Sequence, residues 1–160
     1  MNKKHPAYRY AMDVAEGKVN APKYVKLQVK EFLTIANGKD SRYMIDDNKV
    51  HTIGELLKLM VMPKGLKANS TVYDAMAGFQ WLFIIAILCT VERDNKDKRR
   101  YENAILEICR KNGKTFLIAV LFILLFFIEP KFSKFYSVAP DGSLSREIRS
   151  EEHTSELQSP

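Results

Sequence analysis

At 160 residues and 46% apolar, the chain is long enough for one domain with an ample core. Its formal net charge of +6 suits a nucleotide or nucleic-acid partner, although such a balance is common and most of the lysines read as solvated helix faces. Scattered histidines and two cysteines, Cys89 and Cys109, show no metal-ligand spacing and no nucleophile pattern, and they suggest a reducing compartment rather than a disulfide framework.

The chain reads as two parts and a tail. Residues 1–70 form an N-terminal helical segment. The basic N-terminus is followed by no apolar core, so no signal peptide is read there. Val25, Val29, Phe32, Leu33 and Ala36 fall at helical spacing with Lys23, Lys26 and Lys30 on the wet side, and Asn37-Gly38 stops that helix. Asp40 to Lys49 reads as polar loop. Thr52-Ile53-Gly54-Glu55 reads as a capping box opening a helix through Leu56, Leu57, Leu59, Met60 and Val61, closed by Pro63-Lys64-Gly65.

Residues 71–148 read as the beginning of an α/β core. The expected order is a helix or extended segment over 79–91, a charged loop over 92–100, a strand over 102–108, a loop, a helix over 115–128 and a strand over 135–139. Strand, helix and strand in alternation predict a parallel sheet with a right-handed crossover, and a ligand at the carboxyl ends of the strands.

Arg110-Lys111-Asn112-Gly113-Lys114-Thr115 joins the expected strand to the expected helix and ends as a phosphate-binding loop does. Gly113, without a Cβ, lets backbone N–H groups approach phosphate oxygens. The Lys114 ammonium can reach β/γ phosphates of ATP, and the Thr115 hydroxyl can coordinate Mg²⁺. The following helix turns the positive end of its dipole to the same anion. Arg110 and Lys111 can neutralise phosphate charge, or be an ordinary solvated turn. Ile108 stands where the first glycine of such loops usually lies.

This loop resembles the variant phosphate loop of tailed-bacteriophage terminase large subunits. Upstream, Ala77-Gly78-Phe79-Gln80-Trp81-Leu82-Phe83-Ile84 is similar to that family's adenine-recognising glutamine motif, in which the Gln80 amide would hydrogen-bond the adenine edge. Lys98-Arg99-Arg100-Tyr101 precedes the expected strand as in the terminases. Phe135-Tyr136-Ser137-Val138-Ala139-Pro140 resembles the family's second strand, and Tyr10 to Gly17 its N-terminal helix. The resemblance spans about residues 8 to 148.

It implies an incomplete P-loop NTPase core, preceded by a helical segment, from an ATP-driven DNA-packaging motor and endonuclease. Cofactor-binding residues would be Gln80, Arg110, Lys111, Asn112, Gly113, Lys114 and Thr115. Lys114 and Arg110 would serve catalysis, and Thr115 would hold Mg²⁺. Implied partners are double-stranded viral DNA, the terminase small subunit, the portal protein and further copies of the chain, in the cytoplasm of an infected bacterial host.

The final residues carry a different message. Arg149-Ser150-Glu151-Glu152-His153-Thr154-Ser155-Glu156-Leu157-Gln158-Ser159 is similar, residue for residue, to the in-frame translation of a common sequencing-library adapter. Residues 149–160 are therefore expected to be non-native, with the natural product continuing past Ile148. Without that tail's one Arg and three Glu, 24 basic residues face 16 acidic ones, a net +8.

ATP hydrolysis needs a carboxylate for Mg²⁺ and a residue that positions water. In the terminases these lie on a later strand. Here Asp46-Asp47 falls in a polar loop and Asp141 is a lone acid, so the chain itself is expected to hydrolyse little or nothing. Two other classes stay open. One is another phosphate-loop enzyme such as a small kinase or helicase. The other is a small basic membrane protein using the apolar runs Trp81–Val91 and Phe116–Ile128 as a short hairpin. At thirteen residues the longer run falls short of the roughly 20 needed to span, which favours a buried helix.

Overall fold

The computed structural model describes residues 1–62, 67–129 and 133–136. The chain divides into two compact units, Met1–Ile105 and Leu106–Pro160, each taken by itself here.

In the first unit, α1 spans Pro6–Ala15. Pro6 suits the first helical position because its missing N–H would have no helical partner there. His5 caps the helix, its Nδ1 accepting the Ala7 N–H at 3.2 Å. Beyond Ala15, Gly17 takes φ +77° and its N–H returns to the Val14 carbonyl, while the Lys18 N–H reaches that of Asp13. This left-handed turn closes helix ends cheaply only where no Cβ intervenes.

Helix α2 spans Lys23–Ala36 and buries Val29, Phe32 and Ile35. The buried stripe is thus rotated from the one expected, with Ile35 inside and Leu33 half-exposed. Gly38, at φ +72°, ends the turn after it.

The segment expected to be loop over 40–49 is more ordered than its polarity suggests. Strand β1, Tyr43–Ile45, is followed at once by α3, Asp47–Leu59. Asp46 is the true cap, its Oδ1 accepting the N–H groups of Asn48 at 2.9 Å and Lys49 at 3.4 Å. Thr52 to Glu55 therefore lies within the helix rather than opening it. The expected stop at Pro63-Lys64-Gly65 lies outside the described residues; α3 ends at Leu59, with Met60 already extended.

A one-turn helix α4, Val72–Ala75, is capped by Thr71, whose Oγ1 accepts the Asp74 N–H at 3.1 Å. Helix α5, Gly78–Cys89, is apolar on every side and is the centre of the unit. It packs against α1 and α3, with Trp81, Ile84, Ile85 and Cys89 at most 1% exposed. Burial all round explains why this helix has no polar face.

Strand β2, Thr90–Glu92, continues directly from α5 and pairs antiparallel with β1, Tyr43 against Glu92 and Ile45 against Thr90. The charged loop then folds back, with the Glu92 N–H on the Lys98 carbonyl and the Arg100 N–H on that of Thr90. Arg100 is fixed here. It pairs with Glu31 and stacks over the rings of Tyr43 at 4.3 Å and Tyr101 at 5.2 Å. The Tyr101 hydroxyl in turn accepts from Gln28 Nε2 at 3.0 Å.

The second unit holds α6, Lys114–Ile128, in which Leu117, Ala119, Val120 and Leu124 are buried. Glu129 ends it in an extended conformation, as crowding by the following Pro130 requires. The Phe122 and Phe135 rings meet edge to face at 6.4 Å.

The fold is thus mixed helix and strand, and its sheet is a two-stranded antiparallel one among the described residues. The expected parallel sheet is not what these residues form. Residues 102–108 have no strand structure, and Ile105 is 91% exposed. An apolar alternation becomes a strand only when its N–H and C=O groups find a neighbouring strand, and none pairs with it here. Of the expected strand over 135–139, Phe135 and Tyr136 are irregular and the remainder lies outside the described residues. No described helix is long and apolar enough to cross a membrane.

Candidate phosphate-binding loop

The loop is built by its backbone. Lys111 and Gly113 both take left-handed conformations, at φ +66° and φ +72°. For Gly113 this costs nothing, but for Lys111 its Cβ makes the same geometry unfavourable by about 1 kcal/mol. Gly113 is also the N-cap of α6, with its carbonyl accepting the Leu117 N–H at 2.9 Å.

Among the described residues no side chain caps α6. Glycine has no side-chain oxygen, so the N–H groups of the first turn, which begins with Lys114 and Thr115, have no side-chain acceptor among the described residues. In α1, α3 and α4 His5, Asp46 and Thr71 each supply a capping atom, whereas α2, preceded by Pro22, lacks one as α6 does; what sets α6 apart is the left-handed glycine and the basic loop before it. Arg110, Lys111, Asn112 and Lys114 are exposed, Thr115 is half-buried, and none of the three cations has an ion pair among the described residues. Such an end combines backbone donors, a helix dipole and exposed positive charge, which together suit an oxyanion.

Thr115 offers one hydroxyl to a divalent ion. Among the described residues no group of three or more His, Cys, Asp or Glu side chains is placed to hold a metal. Asp46 is occupied as a cap, Asp47 lies 3.3 Å from the N-terminal ammonium, and Asp141 lies outside the described residues. The local donor set therefore fits the phosphate part of a nucleotide better than its metal.

Gln80 belongs to the first unit and the loop to the second. Gln80 is 7% exposed, and its Oε1 accepts the Ala77 N–H at 2.9 Å. This is the side-chain half of a capping box; Ala77 has no oxygen with which to return the bond. The glutamine thus serves α5, and its Nε2 has no partner among the described residues.

Lys98 and Arg100, noted in sequence as a basic run, are held by Glu92 at 3.2 Å and by Glu31. The Arg100 cluster was invisible in sequence because Gln28, Glu31 and Tyr43 lie far from it along the chain. A readable signal did exist for Asp46, since an acid precedes an amphipathic run there. Comparison with known proteins adds no relative: no family model matches the chain, and neither a curated protein nor a solved structure is significantly similar to it.

Proposed function

We propose that this chain is the N-terminal part of a terminase-like DNA-packaging ATPase, and that Arg110 to Thr115 bind the phosphates of ATP. The observation that supports this reading is the uncapped start of α6 at a left-handed Gly113, with Lys114 and Thr115 in its first turn. In this reading backbone N–H groups and Lys114 hold the phosphate oxygens, Thr115 contributes one ligand to Mg²⁺, and Arg110 and Lys111 add positive charge. ATP with Mg²⁺ would supply the phosphoryl group; the residues here bind and orient it.

Hydrolysis by this chain is not part of the reading, because no carboxylate is assigned to the metal or the water. The order of Gln80, Lys98 to Tyr101 and the loop along the chain is what favours the terminases over a kinase or helicase. Titration with a fluorescent ATP analogue tests the proposal. Binding is expected in the wild type and to weaken at least about 10-fold in Lys114→Ala, which removes a charge-assisted contact. Equal binding by both proteins, or none by a wild type whose helical circular dichroism is intact, would overturn it.

A further inference from the structure

The outward side of α2 carries charge that no described carboxylate of its unit neutralises. Lys23, Lys26 and Lys30 line this side and Lys39 follows its last turn; all are exposed and none has a carboxylate partner among the described residues. The acids nearby are engaged. Glu16 pairs with Lys18 at 2.6 Å, Glu31 with Arg100, and Asp40 accepts the N–H groups of Arg42 and Tyr43 at 2.9 and 2.7 Å.

This lysine row borders an open groove of about 530 Å³ between α2 and the end of α1. Leu33 is half-exposed at its floor, above the buried Val14 and Val29, while Lys26, Lys30 and Lys39 stand at its edge. Across the row, Tyr24 and Leu27 are 80% and 54% exposed, one helical turn apart.

We propose that this face docks an acidic amphipathic segment of a partner protein. Its apolar side chains would enter the groove and cover Leu27 and Tyr24, and its carboxylates would meet the lysines. Charge complementarity sets the sign of the partner, and the apolar floor sets its class. A nucleic-acid backbone presents phosphates at every step and has nothing to place against Leu33 or Leu27. The last turns of α1 and α2 also line this groove, and their carbonyl ends repel a dense row of phosphates. A peptide with a few carboxylates can keep them at the lysine edge instead. The inference uses the first unit alone and does not depend on nucleotide binding.

The test is fluorescence anisotropy of the full chain with a labelled synthetic helix carrying leucines on one face and glutamates on both flanks. Three controls accompany it: a peptide of the same composition with the leucines dispersed, a DNA duplex, and vesicles of anionic lipid. We expect the amphipathic peptide to bind with Kd on the order of 10 μM. Lys26→Glu combined with Lys30→Glu should weaken it at least 10-fold, and Leu27→Ser at least 3-fold. These side chains are exposed, so unchanged circular dichroism should accompany the loss. Equal or tighter binding of the dispersed peptide, duplex or vesicles would overturn the proposal in favour of a general polyanion surface. Absence of peptide binding, or binding indifferent to the α2 substitutions, would overturn it outright.

Discussion

Gly78 lies directly against the Tyr10 side chain: a Cβ at position 78 would stand 2.7 Å from Tyr10 Cβ and Cδ2 and 2.8 Å from Cγ. These atoms are the stem of the tyrosine, not a flexible tip, so α1 itself would have to move off α5. Gly78→Ala gains about 1 kcal/mol in helix propensity. Overpacking of this kind costs about 1–3 kcal/mol, and a contact with the stem belongs at the upper end. We expect a net loss of about 1–2 kcal/mol, seen as a lower urea midpoint. Tyr10→Gly in the same chain, which removes all three of these atoms where Tyr10→Ala would keep the Cβ, should make Gly78→Ala neutral or favourable; additive losses in that background would disprove the steric account.

His5 makes the first unit sensitive to acid. Its Nδ1 accepts the Ala7 N–H, so the proton of the neutral ring sits on Nε2, which is buried without a partner. The ring also meets Trp81 edge to face at 5.0 Å. Burial lowers its pKa from 6.5 to about 4. The native state therefore binds the proton less well than the unfolded chain. Its contribution is complete above pH 6.5 and is lost as pH falls toward 4. The gap corresponds to about 3 kcal/mol, which solvent around this partly exposed ring reduces to about 2. Denaturant midpoints measured from pH 7 to 4.5 should fall in the wild type. In His5→Asn, which can still cap but does not titrate, they should stay nearly level over the upper part of that range.

Arg100 should prove irreplaceable by lysine. Its guanidinium lies over Tyr43 and Tyr101 while one of its nitrogens donates to Glu31, a combination of planar stacking and directed donation that an ammonium cannot reproduce. Arg100→Lys and Arg100→Ala are expected to lose similar stability, about 1–2 kcal/mol, measured as the shift in thermal midpoint. Full recovery by lysine would show that only charge matters at this position.

Gln80 allows capping and base recognition to be separated. Gln80→Ala should cost about 1 kcal/mol by freeing the Ala77 N–H, and Gln80→Glu should restore most of it because a carboxylate can accept the same bond. The glutamate lacks the Nε2 donor. A loss of ATP preference over GTP in Gln80→Glu would assign the amide to adenine as well. An unchanged preference confines it to the start of α5.

What the sequence discloses here is what local physics decides. The long apolar runs of α5 and α6 and the left-handed glycines at 38 and 113 act within a few residues, so these helices and turns fall close to their expected places, whereas α3 opens five residues before the Thr52 at which it was expected. The phosphate-loop candidate was legible for the same reason, since Gly113, Lys114 and Thr115 are consecutive. Strands β1 and β2 were not, because three-residue strands exist only through pairing across the fold. The alternation at 104–108 misled for the complementary reason, having the pattern of a strand but no partner. The capping job of Gln80 could be read from its spacing to Ala77, but which atom holds it needed coordinates.

Trp81 is the only tryptophan of the chain, and it stands at the heart of the first unit with its indole N–H on the Tyr73 carbonyl at 3.3 Å. Cys89, in the same helix, is fully buried, and that burial drives its thiol well above the usual range. Cys109, just before the loop, is exposed. Each unit therefore carries a reporter of its own. Tryptophan emission reports on the packing of the unit that ends at Ile105. A dye on Cys109, which should react while Cys89 stays silent until unfolding, would give the loop a signal of its own.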